Sequence, residues 1–130
     1  MTYLTPGELE VMKILWEHGS LKPAEILAKM DRPISDAALR SVLRVLLGKG
    51  QAKRKKAGKA FFYSASKKSN GTFKTMTRRL ADAFCRGSSL GLIARLLEEE
   101  QFSKEDIKQL QQLAKKASQQ KATSERRKSP

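Results

Sequence analysis

The sequence is poor in the side chains that build metal, redox and hydrolytic centres. Among its 130 residues there is one cysteine, Cys85, and one histidine, His18. A single thiol cannot form an internal disulfide, and these two side chains are too few to hold zinc or copper. His18 also lacks an identifiable nucleophile or carboxylate partner, so we predict no metal, no cofactor and no enzymatic activity. For Cys85 a structural role is the preferred interpretation, and a redox or interchain thiol is the alternative.

Long apolar runs are missing as well. No stretch approaches the roughly 18 to 20 consecutive apolar residues that a membrane span requires. The first ten residues, MTYLTPGELE, do not join a basic region to an apolar one, as a secretory signal peptide does. These features predict a cytoplasmic protein that does not bind membranes.

Acidic residues are scarce relative to basic ones. Lysine and arginine number 27 against 13 aspartates and glutamates, which gives a formal net charge of +14. Such an excess favours a polyanionic partner, and nucleic acid and an anionic membrane surface are the two candidates. Because no membrane anchor is visible, we favour nucleic acid.

A regular series of helix signals occupies the first part of the chain. The residues TPGE at 5–8 can form a capping box, and Gly19 can end the helix that they start. Pro23 can open a second helix, and Ser35 can cap a third helix that ends at 48–50. Three short helices are therefore predicted before residue 51.

Two strands are predicted next, at about 51–55 and 60–64, separated by the link 56–59. Gly58 in a short polar link is typical of a β-hairpin, and the aromatic run at 61–63 suits a strand with one buried face. Three helices followed by a hairpin predict a winged helix-turn-helix domain over residues 1–66. The expected fold class is mainly α with a small β-hairpin, extended by a C-terminal helical dimerisation region.

The third helix and the hairpin carry the candidate DNA-binding residues. An apolar stripe places one face of this helix on the core, at Leu39, Val42, Leu43 and Leu46. The candidates on the helix are Ser35, Ala37, Ala38, Arg40, Ser41 and Arg44. The candidates on the hairpin are Lys53, Arg54, Lys55, Lys56 and Lys59, five cations without an acid. Many exposed charges only keep a protein solvated, but a cationic hairpin directly after a groove-sized helix favours contact with DNA.

Apolar residues recur at helical spacing between residues 67 and 117. The pattern predicts three helices, the first over about 72–86 and the third capped at Ser103. They bury little surface alone and are therefore expected to pair with a second copy of the chain. The candidate dimerisation residues are Phe84, Leu90, Ile93, Leu96, Leu97, Ile107, Leu110 and Leu113. Residues 118–130 lack large apolar side chains, so a basic, disordered tail is predicted there.

Three segments in this order resemble the bacterial penicillinase and methicillin-resistance repressor family of the BlaI/MecI/CopY type. They are LTPGELEVMKILWEHGSLKPAEI, SDAALRSVLRVLLGKG and KRKKAGKAFFYSA. The most specific patterns are E-x-x-V-M-x-x-L-W, which ends at Trp16, and R-x-V-L-x-x-L-x-x-K-G, which starts at Arg40. The likeness covers roughly residues 3–117. It implies a winged-helix homodimer, located on the bacterial nucleoid, that binds a palindromic operator and blocks transcription.

The resemblance also implies which residues meet the operator and how repression ends. The family's DNA-contacting surface falls on residues 35–41, but Ala37-Ala38 stands where many members have Lys-Thr, so the operator sequence is not expected to be shared. The chain lacks the cysteine cluster of the copper-responsive branch. A membrane sensor or protease is an implied partner, since sensor-triggered cleavage at an Asn-Phe bond relieves repression in the penicillinase branch. Here Arg95-Leu96 stands at that position, and Gln101-Phe102 lies further on.

Two other functions stay open on the sequence. A non-specific architectural DNA-binding protein would use the same charges, and random duplex would then compete as well as an operator. A protein-interaction module would instead present the basic face to an acidic protein. In that case replacing Arg40 and Arg44 together by alanine would leave DNA affinity unchanged.

Overall fold

The computed structural model describes the backbone of residues 3–128 and the side chains of residues 3–121. It contains, in chain order, α1 (Pro6–His18), α2 (Pro23–Lys29), α3 (Asp36–Gly48), β1 (Ala52–Ala57), β2 (Ala60–Ala65), α4 (Ser69–Phe84), α5 (Ser89–Glu99) and α6 (Lys104–Lys128). Residues 3–87 form one compact unit, and residues 88–128 form a second.

The predicted capping residues start the helices of the first unit. The Thr5 hydroxyl accepts a hydrogen bond from the Glu8 amide at 3.2 Å, and the Glu8 carboxylate accepts one from the Thr5 amide at 3.2 Å. This reciprocal pair confirms the predicted capping box. At the start of α3 the Ser35 hydroxyl accepts from the Ala38 amide at 3.0 Å, also as predicted.

The antiparallel hairpin is longer than predicted, because its turn is shorter. Ala57 pairs with Ala60, so only Gly58 and Lys59 are left to turn the chain. Gly58 has a φ of 64°, which glycine adopts without the steric cost that a side chain would add. A backbone bridge between Leu21 and Tyr63, with N···O distances of 2.9 and 2.7 Å, ties β2 to the link before α2.

The core of the first unit lies between α1, α2, α3 and the base of the hairpin. The predicted stripe of α3 is buried at Leu39, Leu43 and Leu46 and partly buried at Val42. The other buried apolar residues of this core are Leu4, Val11, Met12, Ile14, Leu15, Leu21, Ile26, Ala52 and Tyr63. Because α3 is anchored along one face only, its opposite face is free to meet a partner.

Helix α4 belongs to the first unit, whereas the sequence suggested a domain boundary at residue 66. Its start is held by the Trp16 indole, which donates to the Lys67 carbonyl at 2.8 Å. Further along, the Arg79 guanidinium lies 4.1 Å from the centroid of the Tyr3 ring, and Ala81 is fully buried. The helix also begins three residues before the predicted Thr72, because Lys68 takes the extended backbone of an N-cap.

The second unit consists of α5 and α6. The Ser103 hydroxyl accepts from the Asp106 amide at 3.0 Å, which confirms the predicted start of α6. The helix then continues to Lys128, so the predicted disordered tail is corrected for residues 118–128, while 129–130 lie outside the described residues. Lysine, glutamine, alanine, glutamate and arginine dominate this segment and favour a helix even without apolar residues. None of residues 88–121 is buried.

Within the described residues, no helix is both long and apolar enough to cross a membrane.

Candidate nucleic-acid interface

The candidate DNA-binding residues of α3 lie on its exposed face. All six of them are solvent-exposed: Ser35, Ala37, Ala38, Arg40, Ser41 and Arg44. They occupy the first two and a half turns of the helix, the part that reads base edges when a recognition helix lies in a major groove. The sequence pattern therefore separated the buried face of α3 from its free face correctly.

The polar groups on this face differ in how many hydrogen bonds they already form within the protein. The Ser35 hydroxyl is committed to the helix cap. The Ser41 hydroxyl donates to the Ala37 carbonyl at 3.1 Å, which leaves its lone pairs as acceptors. Arg44 forms no hydrogen bond or ion pair with the other residues that the structure describes. Arg44 is therefore the freest donor on this face.

Arg40 is held by an acid on its own helix, which the sequence analysis did not single out. Its Nε donates to Asp36 Oδ2 at 2.7 Å, one turn earlier. This hydrogen bond, together with the attraction between the two charges, raises the pKa of Arg40 above its ordinary value. Both side chains remain more than half exposed. The spacing of four residues between an acid and an arginine was the available signal.

The pairing register of the hairpin divides its cations between two faces. Arg54 is opposite Tyr63 and Lys56 is opposite Phe61, so these four side chains share one face. Lys53 and Lys55 are opposite Ser64 and Phe62 on the other face. Lys59 lies in the turn. All five cationic side chains are exposed, as expected of groups that meet a DNA backbone.

Two aromatic residues of β2 pack against cations, Phe61 against two cations of the hairpin and Phe62 against Lys22, and neither ring was among the predicted site residues. The Arg54 guanidinium lies 4.6 Å and the Lys56 ammonium 5.9 Å from the centroid of the Phe61 ring. On the other face Lys22 lies 5.8 Å from the centroid of Phe62. Phe61 is 38% exposed, so the ring also presents apolar surface beside the charges.

A cleft of about 250 Å³ connects the helix to the hairpin. Its lining comprises Arg40, Arg44 and Leu47 from α3 together with Arg54 and Tyr63 from the hairpin. Three arginine residues therefore line one concavity, and no acidic residue is among those that line it. Tyr63 is only 7% exposed, and its backbone forms a bridge with Leu21. Guanidinium groups suit phosphate oxygens and guanine edges equally well.

The candidate dimerisation residues are all exposed. Phe84 ends α4, the next four candidates lie on α5 and the last three on α6: Leu90, Ile93, Leu96, Leu97, Ile107, Leu110 and Leu113. Arg95-Leu96, the position that matches the family's cleavage bond, lies inside α5, and Gln101-Phe102 lies between α5 and α6. Within the described residues, no three histidine, cysteine, aspartate or glutamate side chains cluster as metal ligands do.

Three helices, a two-stranded hairpin and a cationic cleft between them define a winged helix-turn-helix protein of the DNA-binding class. The model of the penicillinase repressor family matches residues 4–116. The chain therefore belongs to the penicillinase repressor family, which consists of transcriptional repressors and not of enzymes.

Individual relatives agree with this assignment. The penicillinase repressor of Bacillus licheniformis is 26% identical over 112 residues, which cover 85% of this chain and 88% of the relative. The methicillin resistance regulatory protein MecI of Mammaliicoccus sciuri is 28% identical over 116 residues, 87% and 94% of the two chains. Among solved structures, the YusO protein of Bacillus subtilis superposes with a TM-score of 0.52 at 24% identity, over 89% of this chain and 75% of that one. This last likeness concerns the fold.

Proposed function

We propose that the chain is a homodimeric, sequence-specific repressor that occupies a palindromic operator. The observation that carries this proposal is the cleft, because Arg40 and Arg44 of the helix and Arg54 of the hairpin converge on it. One cationic surface would then contact DNA at two places. Helix α3 would lie in the major groove, and the hairpin, which forms the wing, would lie on the neighbouring phosphate backbone.

The two parts of this surface would contribute differently to binding. The hairpin cations, of which Lys56 and Lys59 lie nearest the turn, would neutralise phosphates and release counterions. This contribution is insensitive to sequence and falls steeply with salt. Arg40, Ser41 and Arg44 on α3 would read base edges, and the methyl groups of Ala37 and Ala38 can pack on a thymine methyl.

The homodimer is supported by the exposed apolar residues of the second unit. A lone chain leaves Leu90 at 76% and Leu113 at 60% exposure, although both continue apolar stripes. A contiguous exposed stripe of this kind is typical of an interface, and a second copy is the simplest partner. Two-fold symmetry would place the half-sites about one helical turn of DNA, or a multiple of it, apart.

Selection of bound sequences from a random duplex pool tests this function. We expect a two-fold symmetric motif, and affinity for it well above that for random duplex at physiological salt. A protein that enriches no motif, and is displaced equally by random duplex, is an architectural DNA-binding protein. Unchanged DNA affinity after combined replacement of Arg40 and Arg44 by alanine would instead favour a protein partner.

A further inference from the structure

The pair formed by Asp36 and Arg40 has a geometry that suits base reading. Asp36 accepts from Nε of Arg40 and therefore occupies one edge of the guanidinium. The two terminal nitrogens are left as donors, because no other hydrogen bond of Arg40 with the described residues is present. Paired terminal donors match the O6 and N7 acceptors of guanine in the major groove.

The negative charge of Asp36 also disfavours a DNA phosphate, which would compete with a base for Arg40. A backbone phosphate approaching Arg40 would bring its anion close to the Asp36 carboxylate, which lies 2.7 Å from Nε. A guanine edge carries only partial negative charge and meets weaker repulsion than a phosphate does. The pair therefore favours a base over a phosphate at this position, in contrast to Arg44, which forms no ion pair with any residue that the structure describes.

The residues around Asp36 and Arg40 do not obstruct contact between Arg40 and a base. Asp36 is the first residue of α3, and Ala37 and Ala38 place no polar side chain in competition with it. Arg40 lines the cleft but remains 60% exposed, so its end can reach a groove. Positions 37 and 38 therefore offer no hydrogen-bonding side chain, and Arg40 follows them on the same exposed helix face, held by Asp36.

We propose that Asp36 is a positioning residue that turns Arg40 into a reader of one guanine in each operator half-site. This inference rests on the proposed function, since it requires a sequence-specific complex. Asp36 holds the guanidinium by its Nε edge, and the terminal nitrogens bind the base. Without Asp36 the same arginine becomes a mobile cation that binds phosphates and bases alike.

The test compares the full-length protein with its Asp36→Asn variant. Both are selected against the same random duplex pool, and their affinities for the selected operator and for random duplex are measured over a range of salt. We expect the variant to lose a preference of about tenfold for one guanine per half-site, in the range that a bidentate pair provides. Its affinity for random duplex should rise about twofold or more, with a salt slope steeper by about 0.9 per new phosphate contact.

The matched control is Asp82→Asn on α4. Asp82 forms an ion pair with Arg78, four residues away, with 3.4 Å between Oδ1 and Nε, and its exposure is similar to that of Asp36. The control removes an equal charge from another ion pair of the same spacing, on a different helix. We expect it to leave the base preference unchanged.

An Arg40→Ala background separates positioning from a merely structural role. If Asp36 acts through Arg40, Asp36→Asn no longer changes the base preference once Arg40 is alanine, although the loss of a carboxylate near DNA still raises non-specific affinity. A change in base preference that persists in this background, or a wild-type preference that survives Asp36→Asn, overturns the proposal. If the wild-type protein selects no motif at all, the proposed function itself is wrong. This result can be told apart from the two that contradict only the role of Asp36, because in both of those the wild-type protein still selects a motif.

Discussion

Lys49, directly after α3, donates hydrogen bonds from its ammonium group to both carboxylate oxygens of Glu8 in the first turn of α1. The distance from Nζ to Oε2 is 2.9 Å, and the same ammonium donates to the Tyr3 carbonyl at 2.9 Å. Glu8 is 5% exposed and also completes the capping box with Thr5. One buried carboxylate therefore links the end of α3 to the start of α1.

Replacing Lys49 by methionine should destabilise the first unit, because Glu8 would lose the cation that compensates its burial. We expect a loss of about 1 to 3 kcal/mol in the free energy of unfolding, below the value for a fully buried pair because Lys49 is partly exposed. Urea denaturation measures the change. The matched control is Lys13→Met on the exposed side of α1, and an equal loss in both variants would contradict the assigned role.

The same pair predicts a dependence of stability on pH. Burial has the largest influence on the pKa of Glu8 and raises it, but the hydrogen bonds from Lys49 and Thr5 together outweigh burial. The pKa of folded Glu8 thus lies below the ordinary 4.5. Its contribution to stability is complete above about pH 4.5 and is lost as the pH falls through the lower folded value. Wild-type stability should fall more steeply than that of Lys49→Met below pH 4.5, and parallel urea midpoints would contradict this.

The cations of the hairpin should determine the salt dependence of DNA binding. Lys56→Gln would remove one of the proposed phosphate contacts, on the face of the hairpin that also carries Arg54. We expect weaker binding to every duplex and a slope of log affinity against log salt that is shallower by about 0.9 per protomer. Titrations at several salt concentrations measure this slope. Lys13→Gln serves as the control, and equal slopes in the two variants would remove Lys56 from the interface.

The sequence predicted those structural features that arise from contacts between residues close together in the chain. Capping at Thr5, Ser35 and Ser103 involves contacts within one turn, so the helix starts were predictable. The buried stripe of α3 was predicted from the helical spacing of its apolar residues. Attachment of α4 to the first unit depends on Arg79 packing on Tyr3, across 76 positions of sequence (79 − 3), and no local pattern shows it.

The candidate site was predictable to a similar degree. Its α3 and hairpin residues followed from charge and spacing, and all of them are exposed. The convergence of Arg54 with Arg40 in one cleft depends on the pairing of Arg54 with Tyr63, which the shorter strands predicted from sequence did not establish. The role of Phe61 depends on the same register. Hydrophobic periodicity alone does not determine register in a hairpin whose first strand has the sequence AKRKKA and no large apolar residue.

Phe61 should matter for DNA binding although it carries no charge. Phe61→Leu removes the ring that supports the Arg54 guanidinium at 4.6 Å, and a contact of this kind contributes about 0.5 to 1 kcal/mol at exposed sites. We expect operator affinity to fall about two- to fivefold, with little change in thermal stability. Phe62→Leu is the matched control, since it removes the ring beneath Lys22 on the opposite face. Equal loss in both variants would mean that the aromatic pair acts through folding.

Assembly and operator binding should fail together when the apolar face of α6 is charged. Leu110→Asp places a carboxylate among the residues expected to meet a second copy, whereas Gln112→Asp places the same charge on the opposite side of the same helix. In sedimentation experiments we expect the first variant to be monomeric and the second dimeric. Leu110→Asp should also lose about 100-fold or more in operator affinity but keep its affinity for random duplex, because bivalency is lost while the winged helix is intact. Dimers of both variants, or a monomeric wild type, would show that this face serves another partner.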